Sequence, residues 1–493
     1  MIDISAFIKK NGLIWGPEPE IYEGIAGFYT YGPLGKLLKN KVENQIRKTF
    51  SRYDFWEVET PLISPAVVWE ASGHIGSFTD PLIKDEKGGL HRVDNLIEEQ
   101  LLKDGKNPDE FNIGNMSNKD LLKFIKDNKI LAPNGRQLKE KIVDHNLMME
   151  TTVSTDTKAF NRPETATVTY LPFKNYHEYF RKKMPFGVYQ IGKAFRNEIS
   201  PRNNVLRGRE FTQAEGQIFL HEDQKKEMKL SKEILETEIP LWSYKMQDKK
   251  INWNKITIKS ALKKGLIKSR GYAYALALSY EFVKSLNFPK DRIRYRQHNP
   301  NELAFYAEDA WDLEVRTNLH AWVELAGVHD RKNYDLTQHQ NKSKTSLKVD
   351  GEIPHILEIA LGTDRITYAL IDIFAKEEKI NKDTRVVWKL PGHLSPIRFA
   401  IFPLQKKDGL SEKAKKIYNS LSEKYQCVYD ESGSIGKRYR RQDERGTPHC
   451  ITVDYQTLED ETVTLSRQGS STDLNVSVPF NAFPNFHNHQ NYL

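Results

Sequence analysis

Residues 195–211 read FRNEISPRNNVLRGREF, two strand-like ends that flank a short polar loop. The stretch carries four arginines and two glutamates, Glu198 and Glu210. A solvated surface hairpin would account for this charge. A site that binds a polyanion would also account for it, because guanidinium groups pair bidentately with phosphate. The remainder of the chain has to decide between these two interpretations.

The strand that follows the loop has two chemically different faces. Because side chains alternate along a strand, the odd-numbered residues from Phe211 to Gln217 share one polar face. The even-numbered residues from Thr212 to Ile218 share the other face, which is small and largely apolar, as expected of a surface that packs on helices. An aromatic ring beside guanidinium groups suits stacking on a planar base. The pattern favours a nucleotide site over the solvated hairpin.

The bulk composition is that of a globular protein with more than one domain. The 493 residues suggest two to four domains, with 38% hydrophobic and 28% charged residues. Lys and Arg number 74 against 66 Asp and Glu, which gives a formal net charge of +8. This mild excess permits a nucleic-acid partner without proving one.

The cysteine content and the hydropathy pattern indicate a reduced compartment. Cys427 and Cys450 are the only cysteines, too few for a disulfide framework or a cysteine-based zinc site. No signal-peptide pattern opens the sequence, and no stretch approaches 18 apolar residues. We therefore expect a cytoplasmic location and no membrane partner.

Several segments have clear periodicity. Apolar residues recur every four positions from Leu34 to Phe50, which predicts a helix over 34–53 with one buried face. The strand pattern FWEVETPLI follows, and Pro61 restricts it to a sheet edge or terminus. After about residue 389, alternating strand and helix patterns predict a small α/β domain that contains a glycine-rich basic loop.

Carboxylates recur on two later strand patterns. AWDLEVRTNLHAWVELAGV, residues 310–328, predicts a hairpin with TNLH as its turn. Glu314 and Glu324 on its two strands are either surface charges or ligands for Mg²⁺, which favours a few carboxylates together with substrate phosphates.

The stretch PHILEIALGTDRITYALIDIFAKEE, residues 354–378, predicts a strand that turns at Gly362 into a helix with Thr363 as its N-cap. Glu358 shares the strand face with apolar neighbours, so its carboxylate needs a cation or hydrogen-bond donors. Arg365 is one candidate partner. The functional alternative gives Glu358 a substrate ammonium and Arg365 a phosphate.

In this order, these segments resemble the signature motifs of class II aminoacyl-tRNA synthetases. The predicted helix and edge strand resemble the dimer-forming motif 1, residues 195–211 resemble motif 2, and Gly362 to Arg365 with the following helix resembles motif 3. The resemblance implies an α+β fold, with an antiparallel-sheet catalytic core flanked by helices, inserted modules and a C-terminal α/β anticodon-binding domain.

The similarity is closer to the glycyl-tRNA synthetases of archaeal and eukaryotic type. It runs from about Leu13 to Val478 and rests on PEPEIYEGIAGFYTYGPLG, EASGHIGSFTDPLI, RPETA, FRNEISPR, REFTQAE, WVELAG and GSIGKRYRRQDERGTP. The last stretch also resembles the anticodon-binding domain of the prolyl, threonyl and histidyl enzymes. This family implies ATP and glycine as substrates, Mg²⁺, a cognate glycine tRNA and a homodimer.

The predicted segments follow from the same comparison. They are 1–83 (catalytic domain with motif 1), 84–145 (inserted module), 146–221 (catalytic domain with motif 2), 222–300 (second insertion), 301–388 (catalytic domain with the metal-site hairpin and motif 3) and 389–493 (anticodon-binding domain).

The resemblance implies a role for each matching residue. The nucleotide-binding set is Arg196, Asn197, Glu198, Leu206, Arg207, Phe211, Glu324, Leu325, Gly362 and Arg365. Arg196 and Arg365 would be catalytic, Phe211 would stack on adenine, and Glu314 and Glu324 would coordinate Mg²⁺. The substrate-binding set is Arg92, Glu164, Phe211, Gln213, Glu215, Glu358 and Ala360, with its three glutamates around the glycine ammonium. The tRNA-binding set is Lys437, Arg438, Arg440 and Arg441.

Two positions depart from the family pattern. Thr167-Val168 follows RPETA where Gln-Gly is usual, and Ala360 stands where the family has a serine that contacts glycine. A neutral hydrogen bond contributes about 0.5–1.5 kcal/mol, so Ala360 predicts weaker glycine binding rather than loss of activity. Two alternatives stay open: a synthetase-like binding subunit without catalysis, and a related synthetase for another amino acid such as proline.

Overall fold

The computed structural model describes residues 2–106, 108, 111, 113, 116–199, 201, 203–300, 302–303, 306–380, 383–467 and 476–479. The helices are α1 (Ile4–Lys10), α2 (Pro33–Arg52), α3 (Ala66–Ala71), α4 (His74–Ser77), α5 (Val93–Lys103), α6 (Asn118–Asp127), α7 (Ala166–Tyr170), α8 (Phe173–Tyr179), α9 (Glu222–Glu227), α10 (Lys232–Glu236), α11 (Tyr244–Asp248), α12 (Ile258–Lys263), α13 (Arg270–Ser285), α14 (Tyr334–Ser343), α15 (Thr363–Phe374), α16 (Leu410–Ser422), α17 (Ile435–Arg445) and α18 (Tyr455–Asp460).

The strands are β1 (Ile14–Trp15), β2 (Thr30–Tyr31), β3 (Phe55–Glu57), β4 (Ile63–Pro65), β5 (Thr79–Asp85), β6 (Leu90–Arg92), β7 (Leu138–Asn146), β8 (Met149–Val153), β9 (Thr157–Asn161), β10 (Phe186–Phe195), β11 (Glu210–Leu220), β12 (Glu238–Trp242), β13 (Asn254–Thr257), β14 (Ile293–Gln297), β15 (Asp309–Arg316), β16 (Trp322–Lys332), β17 (His355–Gly362), β18 (Ala375–Ile380), β19 (Asp383–Trp388), β20 (Phe399–Pro403), β21 (Cys427–Tyr429), β22 (His449–Val453), β23 (Thr462–Arg467) and β24 (Val476–Pro479). Within the described ranges no helix is both long enough and apolar enough to cross a membrane.

The larger body, which corresponds to the predicted catalytic domain, is built on one nine-stranded sheet. Its strand order is β13-β12-β14-β15-β16-β17-β11-β10-β3. Neighbouring strands are antiparallel, except that β12 runs parallel to β14 and β10 runs parallel to β3. The loop of residues 195–211 joins the antiparallel neighbours β10 and β11, and the predicted antiparallel core is confirmed.

Helices α2, α13 and α15 pack on one face of this sheet. The small residues of β11 make close packing possible, since a Cβ atom on Gly216 would lie 2.3 Å from Cε1 of Phe50 in α2. Ala214 and Ile218, on the same strand face, are also buried. The predicted division of β11 into a helix-packed face and a polar face is confirmed.

Helix α2 and strand β3 form the motif 1 segment. The predicted helix over 34–53 corresponds to Pro33–Arg52, and its apolar row from Leu34 to Phe50 is buried. Strand β3 is an edge strand, as Pro61 requires, but it ends already at Glu57. Beyond it the carbonyl oxygen of Thr60 accepts a hydrogen bond from the Arg162 guanidinium instead of from a strand.

The two predicted insertions differ in the structure. Residues 79–146 include a separate sheet, β6-β5-β7, which α5 and α6 cover with their own apolar cluster, close to the predicted module of 84–145. The segment 222–300 does not form a separate module in the structure: β12, β13 and β14 belong to the main sheet, and α13 is buried in its core. The lysines that suggested a solvated module lie mostly on the short helices and turns between these elements.

The C-terminal domain has a five-stranded sheet of order β21-β20-β22-β23-β24 with α16, α17 and α18. It corresponds to the predicted α/β domain of 389–493, of which residues 468–475 and 480–493 lie outside the described residues. The basic stretch expected to be a loop forms helix α17. Ile435 and Tyr439 pack against an apolar cluster of the domain, which stabilises a helix whose polar sequence alone gives little sign of it.

We predict that Gly216→Ala lowers the stability of the catalytic body. The Phe50 ring cannot yield easily, because it stacks on Tyr189 at 4.8 Å and packs against Phe55 at 5.0 Å between ring centroids. Overpacking of this kind costs about 1–3 kcal/mol. The measurement is the midpoint of thermal unfolding, with Gly76→Ala as control because no heavy atom lies within 4 Å of its added Cβ. Equal midpoints for the two variants would contradict the prediction.

Candidate active site

A cavity opens on the polar face of the central strands, between the residue 195–211 loop and the start of α15. The predicted nucleotide residues that line it are Arg196, Glu198, Leu206, Arg207, Phe211, Glu324, Leu325, Gly362 and Arg365. Gln213 and Ala360 of the predicted amino-acid site also line it. Asn197 is absent from this lining, and its main-chain N–H donates to the carbonyl oxygen of Leu147 at 2.8 Å.

Arg196 is fixed on the wall of this cavity by its main-chain and aromatic neighbours. Its Nε donates to the carbonyl oxygen of Pro163 at 3.1 Å. The guanidinium lies 5.2 Å from the centroid of the Phe78 ring and 5.3 Å from that of Phe211. These distances are within the range of cation–π attraction, so the charge stays beside an aromatic surface that a planar base could share.

Glu198 connects the loop to the inserted module. Its carboxylate accepts from Nε of Arg207 at 2.9 Å and lies 3.5 Å from the Arg92 guanidinium. Burial raises the pKa of Glu198, and the nearby carboxylate of Asp80 adds to the shift, while Arg92 opposes it. Arg92 also donates to Asp80 at 2.5 Å and to Asp94. Arg92, at the end of β6, therefore extends from the edge of the inserted sheet to Glu198 at the cavity.

Arg365 occupies the first turn of α15 at the cavity rim. Its Nη1 donates to Oε2 of Glu324 at 3.1 Å, and its Nε donates to the carbonyl oxygen of Leu206 at 3.3 Å. Glu358 receives no contact from Arg365, so the structural pairing considered for these two residues is wrong. The N-cap position of α15 belongs to Gly362, and the expected N-cap Thr363 is the first helical residue.

The predicted amino-acid residues lie deeper on the same sheet face, where β11 and β17 pair. Glu215 is opposite Ala360, and Gln217 is opposite Glu358. Glu164 approaches from the start of α7, where it accepts from the Thr167 hydroxyl at 2.7 Å. The three predicted glutamates therefore lie in one buried acidic cage, with their carboxylates in mutual electrostatic contact.

The cage holds Glu215 in an unusual state of protonation. Burial raises the pKa of Glu215 to about 8, and the charges of Glu358 and Glu164 add to the shift. The Thr165 hydroxyl donates to its Oε2 at 2.6 Å and opposes the shift only in part. A cation bound beside Glu215 would reverse this effect, because an opposite charge favours the carboxylate.

Glu358 has a denser set of partners than the sequence suggested. It accepts from the Tyr170 hydroxyl at 2.7 Å, from Nε2 of Gln217 at 3.2 Å and from Nη1 of Arg331 at 3.3 Å. Burial is the largest influence and acts against ionisation, but the charge of Arg331 and the hydrogen bond and charge of His329 together outweigh it and lower the pKa of Glu358 to about 2. Arg331 is shared, since it also pairs in a bidentate manner with Asp335 at 2.8 Å.

Arg331, Tyr170 and His329 were not identified from the sequence, and Gln217 was placed on the polar face of its strand but was given no role in the site. The alternation used for β11, applied along β16, joins Gly327, His329 and Arg331 on one face. That alternation was the available signal for His329 and Arg331. Tyr170 comes from α7 and gave no signal of its own.

The two expected metal ligands, Glu314 and Glu324, have different surroundings. Glu324 lies at the cavity rim with 47% of its side chain exposed, and a carboxylate there fits a divalent cation bound mainly by phosphates. Glu314 does not fit, because Arg294 donates to its Oε2 at 2.5 Å and is enclosed between the rings of Trp242 and Trp322, at 4.1 and 4.0 Å. Within the described part of the chain, no cluster of three or more acidic, histidine or cysteine side chains could hold a metal.

The predicted tRNA-binding residues lie on α17 and have different environments. Lys437 and Arg440 are exposed, whereas Arg441 pairs with Asp430. Arg438 is buried, and its guanidinium donates to the main-chain oxygens of Gly433 and Pro403. Arg438 therefore fixes the helix to its domain and is withdrawn from the predicted RNA contacts.

Two family models match separate segments of the chain. The model "tRNA synthetase class II core domain (G, H, P, S and T)" matches residues 157–374, and the model "Anticodon binding domain" matches residues 398–486. Among solved structures, Giardia lamblia prolyl-tRNA synthetase in complex with prolyl-adenylate superposes with a TM-score of 0.57 at 13% identity, over 97% of this chain and 74% of that one. The RNA binding domain of threonyl-tRNA synthetase from Cryptosporidium parvum gives 0.58 at 16%, over 97% and 96% of the two chains. The fold is that of a class II aminoacyl-tRNA synthetase.

The similarity to curated proteins is more specific. The glycine–tRNA ligase of Methanococcus maripaludis (strain C6) is 34% identical, over 95% of this chain and 96% of the relative. That of Pyrococcus furiosus is also 34% identical, over 96% of each chain. The chain belongs to the glycine–tRNA ligase family.

Proposed function

We propose that this chain activates glycine with ATP and transfers the glycyl group to the 3′ end of its cognate tRNA. One arrangement carries the proposal: an arginine-lined cavity adjoins an acidic cage on one face of the same sheet. The cavity has the charge for a polyphosphate, and the cage has the charge for an ammonium group. An α-amino acid bound in the cage would direct its carboxylate toward the cavity.

The first step needs positioning and charge stabilisation more than a protein nucleophile. An oxygen of the glycine carboxylate attacks the α-phosphorus of ATP, a P–O bond to the leaving pyrophosphate breaks, and glycyl-adenylate forms. Arg196 would bind the α-phosphate, and Arg207 and Arg365 the outer phosphates. Phe211 would stack on adenine beside the Arg196 guanidinium, with Glu198 near the amino group of the base.

The second step transfers the activated glycine. The terminal ribose hydroxyl of the tRNA attacks the carbonyl carbon of the mixed anhydride, and AMP leaves. Arg92, which lies 3.5 Å from Glu198, would contact the substrate or the tRNA end. Selectivity for glycine would come from Glu164, Glu215 and Glu358, which surround the ammonium and leave little room for a side chain.

We propose Mg²⁺ as the partner of the ATP phosphates, with Glu324 as its protein ligand. Bound there, the ion would neutralise charge on the phosphates and the leaving pyrophosphate. Occupation of this site would require Arg365 to exchange Glu324 for phosphate oxygens. Glu314 stays with Arg294 and takes no part in this proposal.

A homodimer is proposed for the motif 1 side of the sheet. Strand β3 is an edge strand with unpaired main-chain groups, and Trp56 on it is 54% exposed beside Tyr179, which is 63% exposed. Large exposed aromatic residues at a sheet edge favour a protein interface. Sedimentation velocity of the full chain would give twice the monomer mass, and a monomer at micromolar concentration would contradict the proposal.

We also propose a cytoplasmic location. The two cysteines, Cys427 and Cys450, are buried and unpaired, which suits a reducing compartment. Subcellular fractionation of the native host decides this point, and recovery outside the cytoplasm would overturn it.

The function is tested by ATP–pyrophosphate exchange, measured separately with each of the twenty amino acids. We expect exchange with glycine alone in the parent chain. Removing a charge that acts in the transition state costs about 10²–10³-fold in rate, so Arg365→Ala should lose at least about 100-fold. Arg136→Ala is the matched control, since Arg136 is a partly exposed arginine of the inserted module that lies 3.8 Å from Asp85 and does not line the cavity. Exchange with another amino acid would replace glycine as substrate, and no exchange with any would favour a silent binding subunit.

The protonation of Glu215 predicts a pH dependence of glycine binding. Below its pKa of about 8, Glu215 is protonated in the free enzyme and must release a proton when an ammonium binds. The KM for glycine should therefore fall by up to about tenfold per pH unit as the pH rises toward 8, and then level off. The measurement is the glycine KM in the exchange assay at saturating ATP. Glu215→Gln should bind glycine more weakly and lose this slope, and an unchanged slope in that variant would contradict the assignment.

The exposed basic end of α17 is proposed to contact tRNA. We expect Lys437→Ala with Arg440→Ala to weaken tRNA binding and to reduce its dependence on salt, because fewer counterions are released. The exchange reaction, which needs no tRNA, should stay unchanged. The measurement is tRNA affinity at several salt concentrations, with Lys245→Ala as a surface control. Equal affinities for the double variant and the control would exclude this surface.

A further inference from the structure

We propose that His329 is a further binding residue of the amino-acid site, where its Nε2 accepts a hydrogen bond from the substrate ammonium. The inference rests on the proposed function, since it requires an amino acid in the acidic cage. It assigns a role to a side chain that neither the sequence motifs nor the phosphate cavity explain.

The position of His329 follows from the register of the sheet. His329 on β16 pairs with Glu358 on β17, which in turn pairs with Gln217 on β11. In the next row toward the cavity, Gly327 pairs with Ala360, which pairs with Glu215. His329 therefore belongs to the sheet face that carries the cage, two strands away from Glu215.

The imidazole ring of His329 lies over Gly327, which pairs with another small residue, Ala360. A Cβ atom on Gly327 would lie 2.4 Å from Cε1 and 3.0 Å from Nε2 of His329, so the ring covers the space above that glycine. Ala360, next in the row, contributes only a methyl group. The Cε1–Nε2 edge of the ring therefore faces the space above Gly327 and Ala360. Glu215 follows Ala360 in the same row, on the side away from Gly327.

The hydrogen-bond partners of the ring decide what Nε2 can do. Nδ1 lies 3.0 Å from Oε1 of Glu358, and an ionised carboxylate only accepts, so Nδ1 carries the hydrogen. In the neutral ring, Nε2 then presents a lone pair. No hydrogen bond to Nε2 is formed within the described ranges of the chain, and 21% of the side chain is exposed. The ring is thus an acceptor without a donor, at the edge of the cage.

Other acceptors of the cage lack donors in the same way. Oε1 of Gln213 and Oε1 of Gln217 are buried, and neither receives a hydrogen bond from any residue that the structure describes. Buried acceptors of this kind are costly unless a ligand or water supplies N–H or O–H groups. A primary ammonium offers three such donors and a positive charge, which the carboxylates of Glu164 and Glu215 also favour. The surplus of acceptors therefore points to an ammonium rather than to an anion.

Two simpler roles for His329 need to be separated from this one. The ring could act only by filling space over Gly327, or only by orienting Glu358 through Nδ1. His329→Phe keeps an aromatic ring but neither polar atom. His329→Gln supplies both an N–H donor for Glu358 and a carbonyl acceptor, and His329→Ala removes everything. These three variants distinguish an acceptor from a filler.

The experiment measures KM and kcat for glycine and KM for ATP in the exchange assay, for the parent chain and the three variants. A hydrogen bond to a charged group contributes about 1.5–3 kcal/mol, so we expect the glycine KM to rise at least about tenfold in His329→Ala and His329→Phe. His329→Gln should stay within about threefold of the parent, and the KM for ATP and the thermal midpoint should change little in all three. His355→Gln, at the far end of β17, is the matched histidine control and should behave like the parent.

Each outcome has a definite meaning. A glycine KM within about twofold of the parent in His329→Ala would overturn the inference, and so would a Phe variant that performs as well as the Gln variant. A rise in the glycine KM of His329→Ala that disappears when the same change is made in a Glu358→Gln background would assign His329 to positioning of Glu358 instead. A parent chain without glycine-dependent exchange would overturn the proposed function itself, and the inference with it, before any variant is compared.

Discussion

The carboxylate of Asp364 is the contact on which the geometry of the cavity depends. It accepts from Nζ of Lys39 in α2 at 2.6 Å, from the Tyr31 hydroxyl at 2.7 Å and from the main-chain N–H of Thr212 in β11 at 2.7 Å. Burial lowers the pKa of Lys39, so the lysine charge is maintained largely by this carboxylate, which counteracts the shift. One buried group thereby connects the helix of motif 1, the return strand of motif 2 and the helix of motif 3. Arg365, the next residue, is aimed at the cavity because Asp364 is fixed behind it.

On the polar face of the sheet, positive and negative side chains occupy separate regions only a few residues apart along β11 and β17. Toward the loop, three guanidinium groups line the cavity, those of Arg196, Arg207 and Arg365. Glu198 pairs with the second and Glu324 with the third. Deeper in the sheet, acidic groups outnumber their cations, since Arg331 is shared between Glu358 and Asp335. An α-amino acid has its own charges in the complementary order, ammonium first and carboxylate second. A sheet with this polarity would orient such a substrate with its ammonium in the acidic cage and its carboxylate toward the phosphate side.

The sequence was sufficient for those parts of the site that depend on local period and motif spacing. Alternation along β11 separated Gly216 from Glu215, and the spacing from Gly362 to Arg365 located the start of α15. It was insufficient where a partner comes from a distant strand. Arg331 meets Glu358 from 27 residues away, and only the register of β16 with β17 brings them together. Composition alone suggested an insertion at 222–300, because its lysine-rich turns hide the strands that join the main sheet and the buried helix α13 between them. Helix α17 was taken for a loop because its stability comes from Ile435, Tyr439 and the buried Arg438 against the domain, not from an apolar stripe.

Contacts between the two domains limit the side from which a ligand can approach α17. Helix α15 leads directly into the ribbon of β18 and β19, whose Arg385 pairs with Asp443 of α17 at 3.0 Å. Lys10 of α1 pairs with Glu444 at 2.8 Å, which fixes the same end of the helix to the catalytic body. Both acidic residues lie near the C-terminal end of α17, whereas Lys437 lies near its N-terminal end. The acidic end is thus occupied by the catalytic body and the basic end is left to solvent, so a polyanion that binds the C-terminal domain on α17 must approach from the side away from this interface.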